Sequence, residues 1–158
     1  MNLTDIEKGY LAGLLDGEGC VGYYTRLTKG VPYHSASLHI CMTDPRPAEW
    51  LMEQVGYGKV SFSFKPEGHK PVYSWQLCKQ PQIKEVLIAI RPFLLVKGDQ
   101  VDVLLKLWEH EETLPKRQVT TEVIRFRQQV ADEMKRLKTV IPAFVESVET
   151  RRAESLRD

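Results

Sequence analysis

GYLAGLLDGEGC, residues 9–20, is an unusual way to write a helix. Gly9, Gly13 and Gly17 recur every fourth residue, and each costs about 1 kcal/mol against alanine in a helix interior. Two acids, Asp16 and Glu18, stand where the apolar run stops. Upstream, Thr4-Asp5-Ile6-Glu7 has the pattern of a capping box, which predicts a helix from there to about Asp16. Glycines four apart share one helix face, with Ala12 close by. Side-chain-free positions let two backbones approach, so Gly9, Ala12 and Gly13 are expected to form a seam between two copies of the chain.

Working outward, SASLHICM (residues 35–42) alternates Ala36, Leu38, Ile40 and Met42 with Ser35, Ser37, His39 and Cys41, the period of a half-buried strand. CVGYYTRL before it alternates less cleanly, and TKGVPY between them reads as a loop. In DPRPAEWLMEQVGYG, Asp44 is a helix cap, Pro45 the first helical residue and Gly56 the stop. A second strand pair follows. KVSFSFK puts Val60, Phe62 and Phe64 on one face, VYSWQLC does the same with Tyr73, Trp75 and Leu77, and PEGHKP is the turn between them. The remainder is helical. Its stripes are Ile83, Val86, Leu87 and Ile90, then Val101, Leu104, Leu105 and Trp108, then Val119, Val123, Phe126, Val130, Met134 and Leu137. A last short helix is expected around Phe144, Val145 and Val148.

The order α-ββ-α-ββ-α with appended helices predicts an α+β domain in which helices cover one side of a four-stranded antiparallel sheet. A length of 158 residues suits one domain over 1–158, with a core at about 4–112 and a helical extension at about 117–153. With 42% hydrophobic and 27% charged residues the composition is that of a globular protein, and no run is long and apolar enough to span a membrane. The absence of any signal-like segment points to the cytoplasm or an organellar matrix. Cys20, Cys41 and Cys78 are scattered and odd in number, which favours reduced thiols, and the four histidines have no ligand spacing for zinc. The net charge of +1 does not announce a nucleic acid. Between Cys20 and Gln80, however, seven Lys or Arg face four acids. The polar strand face itself (Ser35, Ser37, His39, Cys41, Ser61, Ser63, Lys65, Ser74, Gln76) holds no carboxylate, as suits a polyanion partner.

LAGLLDGEG, residues 11–19, resembles the signature of the LAGLIDADG homing endonucleases, agreeing at Leu11, Ala12, Gly13, Leu14, Asp16 and Gly19. Gly17 replaces an alanine and Glu18 an aspartate. RPFLLVKGDQ, residues 91–100, is similar to the segment that delivers an active-site lysine in that family, so the resemblance runs from Thr4 to Trp108. One copy of the motif implies the homodimeric type, with a saddle-like sheet. The resemblance implies a site-specific nuclease of double-stranded DNA that uses Mg²⁺, with Mn²⁺ able to substitute and Ca²⁺ supporting binding with little cleavage. Its metal-binding acid is the eighth motif residue, here Glu18, aided by the Gly17 carbonyl. Hard divalent ions with oxygen ligands suit two such acids meeting across a two-fold axis. Lys97 is the basic partner, and Asp16 is read as a capping or structural acid. Around the turn after the second strand, where relatives carry a polar and a basic residue, this chain has Asp44 and Arg46 as candidates.

On that reading the polar sheet face lies along the major groove. Tyr24, Arg26, Ser35, Ser37, His39, Cys41, Ser61, Ser63, Lys65, Ser74 and Gln76 are aimed at base edges, and Lys29 and Lys70 at phosphates. The expected target is long and near-palindromic, and the expected product a double-strand break. An intron-RNA maturase on the same fold and a non-catalytic DNA-binding regulator are the competing expectations.

Overall fold

The computed structural model describes residues 1–64, 68–114 and 120–139. Its elements are α1 (Asp5–Glu18), β1 (Gly19–Thr28), β2 (Val31–Met42), α2 (Pro45–Val55), β3 (Lys59–Ser63), β4 (Val72–Leu77), α3 (Gln80–Ile90), one 3-10 turn (Arg91–Phe93), α4 (Gly98–Thr113) and α5 (Thr121–Thr139). The expected order is therefore present, with α4 and α5 added. Lys65, Val119 and the expected helix at Phe144, Val145 and Val148 lie outside the described residues.

Local chemistry accounts for most boundaries. The Thr4 hydroxyl accepts from the Glu7 amide, and Glu7 Oε2 accepts from the Thr4 amide at 2.7 Å, closing the capping box. α1 runs two residues past the expected Asp16, to Glu18. Gly19 then leaves the helix close over its last turn. A Cβ there would lie 2.8 Å from the Leu15 carbonyl oxygen, so the last motif residue has to be glycine. Asp44 caps α2 through the Arg46 amide, and Gly56 closes it at φ 79°. TKGVPY is not the loop expected for it. Val31, Pro32 and Tyr33 belong to β2, and the turn shrinks to Lys29 and Gly30, both at positive φ, as a tight hairpin needs.

The four strands form one antiparallel sheet in the order β1-β2-β4-β3. One face, carrying Val21, Leu38, Ile40, Trp75 and Leu77, packs on Leu11, Leu15, Leu51, Ile83, Leu87 and Ile90 of the helices. Val130 and Met134 of α5 join this same core. The β3 positions read as half-buried are not. Phe62 is 62% exposed, and Phe64, one residue past the strand, 82%, because β3 is an edge strand with a neighbour on one side alone. Among the described residues no helix is packed across the other face of the sheet.

Candidate active site and nucleic-acid interface

Strand pairing fixes what the open face presents. Cys20 lies opposite His39, Tyr24 opposite Ser35 and Arg26 opposite Tyr33. His39 and Lys59 flank Gln76, and Cys41 and Ser61 flank Ser74. Side chains alternate across a strand, so these residues share one face with Ser37 and Ser63, as their period-two spacing indicates. No carboxylate occupies this face among the described residues. Lys29 sits exposed at the tip of the first hairpin, and Lys70 is exposed before β4, near enough to Asp44 for its charge to favour the ionised carboxylate. Two members escaped the sequence reading. Tyr33 was assigned to a loop, and Lys59 begins a strand at a point where alternation is not yet established.

β1 is the other edge strand, and α5 runs antiparallel along it. Gln128 meets the Thr25 hydroxyl at 3.1 Å, while Lys138, ten residues on, reaches Cys20, five residues back. Ten helical residues and five strand residues both span roughly 15–17 Å, so the two elements stay in step. The helix covers the free edge of β1 and carries its last turn to the open side of the sheet.

Glu18 ends α1 exposed to solvent, beside helix carbonyls that no further turn satisfies. A carboxylate at a helix C-terminus opposes the helix dipole, an arrangement that a cation relieves. Lys97 is held close by. Its ammonium donates to the main-chain oxygen of Asp16 at 2.6 Å, on the same terminal turn. The Asp16 side chain fixes the loop that carries this lysine. Its carboxylate accepts from the backbone amides of Leu95, Val96 and Lys97 at 2.7, 3.1 and 2.9 Å. Burial opposes the charge on Asp16, but these three amides outweigh it and hold the carboxyl below its usual range. On the far side of the loop, Arg91 grips Asp102 with two hydrogen bonds of 2.6 and 2.7 Å. Lys97 therefore projects from a loop clamped at both ends.

Asp44 and Arg46 are placed elsewhere. The Arg46 guanidinium is committed to the Asp44 carboxylate, at 2.9 and 3.1 Å from Nε, and these bonds hold the Asp44 pKa down at about 2. The pair lines a separate cavity with Tyr10, Pro47 and Trp50, not the one that contains Lys97. Asp44 caps α2 and pairs with Arg46 at this exposed turn, so the structure brings the two candidates together with each other and not into the cavity that Lys97 lines.

The seam residues also divide. Ala12 is 0% exposed, sealed in the chain's own core, and cannot meet a second copy. Gly9 faces Phe93, whose ring would lie 3.8 Å from an added Cβ. Gly13 and Gly17 face open space, in one line with Ile6 (86% exposed) and Tyr10 (47%). Helical angles explain the division, because Ile6, Tyr10, Gly13 and Gly17 fall within one narrow stripe and Ala12 lies well outside it.

Among the described residues no three His, Cys, Asp or Glu side chains converge as a closed metal site. One chain offers the Glu18 carboxylate and helix-end carbonyls, all hard oxygen donors of the kind magnesium and calcium take. No helix among the described residues is long and apolar enough to cross a membrane.

Neither the protein-family models nor the curated protein sequences yield a match. Solved structures do. The homing endonuclease I-CvuI, in complex with its target in the presence of Ca, superposes with a TM-score of 0.70 at 16% identity, over 87% of this chain and 85% of that one. The homing endonuclease I-TnaI matches with a TM-score of 0.66 at 19% identity, over 87% of this chain and 95% of that one. The LAGLIDADG homing endonuclease I-GzeII, in complex with its DNA target, matches with a TM-score of 0.64 at 14% identity, over 78% of this chain but only 43% of that one. The chain thus has the fold of the LAGLIDADG homing endonucleases, at the length of I-TnaI and about half that of I-GzeII.

Proposed function

We propose that this chain is a site-specific endonuclease of double-stranded DNA that works as a homodimer joined along α1 and uses divalent metal ions. The observation that carries the reading is the end of α1. There an exposed Glu18 stands beside a clamped Lys97, at the margin of a sheet face free of acids.

Exposed helix glycines argue for the dimer. Neither Gly13 nor Gly17 has a neighbour among the described residues to justify its missing side chain, and Gly13, in the helix interior, sacrifices about 1 kcal/mol of helix stability. A second α1 packed on the Ile6–Tyr10–Gly13–Gly17 stripe supplies the reason. That pairing brings two Glu18 carboxylates together, which is the donor set a magnesium ion wants and a single chain lacks. The chemistry such an ion supplies is Lewis-acid activation of water and neutralisation of charge on the phosphate. Glu18 and the Gly17 carbonyl are the ligands this chain offers. Lys97 contributes a fixed positive charge next to the scissile phosphate, where it stabilises the oxyanion that develops during displacement. The open face of each sheet lies in the major groove, Arg26 reading guanine and Gln76 adenine, with Lys29 and Lys70 on phosphates.

Selection of bound duplexes from a random DNA pool in Ca²⁺, followed by transfer to Mg²⁺, tests the reading. A near-palindromic consensus cut on both strands supports it. Absence of any consensus, or binding with no cut in either Mg²⁺ or Mn²⁺, overturns it and directs attention to structured RNA. On the recovered site, Glu18→Gln is expected to abolish cleavage while affinity in Ca²⁺ stays within a small factor of wild type.

A further inference from the structure

A cavity of about 620 Å³ opens beside the end of α1, lined by Gly19 and Cys20, by Lys97 and Gln100, and by Leu137 and Lys138 of α5. Lys138 comes from α5, outside the stretch whose sequence resembles a known family. Its ammonium rests 3.4 Å from the Cys20 sulfur and 5.5 Å from the centre of the Tyr24 ring. Neither partner is a carboxylate, and no ion pair engages Lys138 among the described residues. A thiol and an aromatic face are weak partners for an ammonium, whereas a phosphate oxygen is a strong one. Lys97 lines the same cavity, so two ammonium-bearing side chains from different parts of the chain border one space at the end of α1. The one acid in the lining, Asp99, is exposed.

We propose that Lys138 is a second cationic contact of this site, taking a backbone phosphate of the bound duplex above Cys20, in the cavity it shares with Lys97. The inference rests on the endonuclease reading and deepens it. α5 then has two tasks: it covers the β1 edge and delivers a phosphate ligand to the cleavage site. Docking of α5 through Gln128, and through Arg127 on Glu111 at 2.6 Å, places the lysine before DNA arrives. A contact fixed in advance loses less conformational freedom on binding.

The test uses the full chain and a duplex recovered from the random pool in Ca²⁺, with affinity measured across salt concentrations for wild type, Lys138→Gln and Lys138→Arg. Lys138→Gln is expected to bind about tenfold more weakly at low salt, with a salt slope shallower by about 0.9 for each bound copy, one phosphate contact apiece. Lys138→Arg is expected to restore both, which a purely structural role for the lysine stem would not require. If Lys138→Gln keeps wild-type affinity and slope on a duplex that the wild type selects and cleaves, the inference falls and the endonuclease reading stands. If the wild type selects no duplex, both fall.

Discussion

Asp16 illustrates how one carboxylate can fix a loop drawn from a distant part of the chain. Its three amide hydrogen bonds fix the loop of residues 95–97, and the ammonium at the end of that loop turns back to the Asp16 main-chain oxygen. The carboxylate supplies the charge and the acceptors, so Asp16→Asn leaves one acceptor oxygen where two served. Hydrogen bonds to a charged group contribute roughly 1.5–3 kcal/mol, and part of that is expected to be lost. The expected result is a slower cleavage step on a selected duplex with Ca²⁺ binding nearly unchanged. Single-turnover kinetics beside equilibrium binding separate the two, and a variant that cleaves at the wild-type rate removes Asp16 from the mechanism. Asp16 was legible in the sequence as a structural acid, but its partners lie 79 to 81 residues away, and no local pattern names them.

At the scale of the element, α1 does two jobs on two faces. Leu11, Ala12 and Leu15 are buried in the chain's own core, while Ile6, Tyr10, Gly13 and Gly17 are turned outward. An isolated chain would gain from alanine at Gly13, by about 1 kcal/mol. A bulky side chain there has free space among the described residues and none across a close helix pair. Gly13→Leu is therefore expected to fold normally and to sediment as a monomer, with double-strand cleavage lost. A Gly13→Leu protein that remains dimeric moves the seam to another surface. The four-residue glycine spacing points to α1 as the seam, while Ala12, expected in that seam, is buried in the chain's own core, because sequence proximity does not separate two sides of one turn. The β3 strand is the comparable case among the strands. Its alternation was read correctly, and its burial was not, since alternation says which residues share a face and never whether anything covers it.

For the whole molecule, pH offers a test of how the elements are assembled. Burial, then the Arg127 charge, hold His34 below the ordinary histidine value of 6.5. Burial, then the Lys138 charge, do the same for His39. With folded values depressed, the unfolded chain binds more protons between the two states' pKa values. Stability is thus complete above the unfolded pKa, falls as pH drops below 6.5, and levels off beneath the folded values. Carboxylates with lowered values, such as Asp16 and Asp102, stay ionised through that window and do not mask the effect. Denaturant unfolding at about pH 7.5 and about pH 5.5 should show the lower stability at the acid value. Lys138→Gln should raise the His39 pKa, read by NMR titration, because it removes a nearby positive charge. An unmoved His39 would place the end of α5 away from the sheet face.

By itself the sequence determined the elements, their order and their caps, and which strand residues share a face. Those properties follow from spacings of two to four residues and from turn and cap chemistry, all of which act locally. It also marked Glu18 and Lys97, through motifs whose likeness to a known family survives where no sequence match to a family model does. Tertiary structure alone decided that Asp16 clasps the lysine loop, that Asp44 and Arg46 neutralise each other away from it, and that β3 is an edge strand with exposed side chains. It also brought Lys138 across 118 residues to Cys20. These outcomes depend on which surfaces meet when the core closes, and no periodicity along the chain encodes such a meeting.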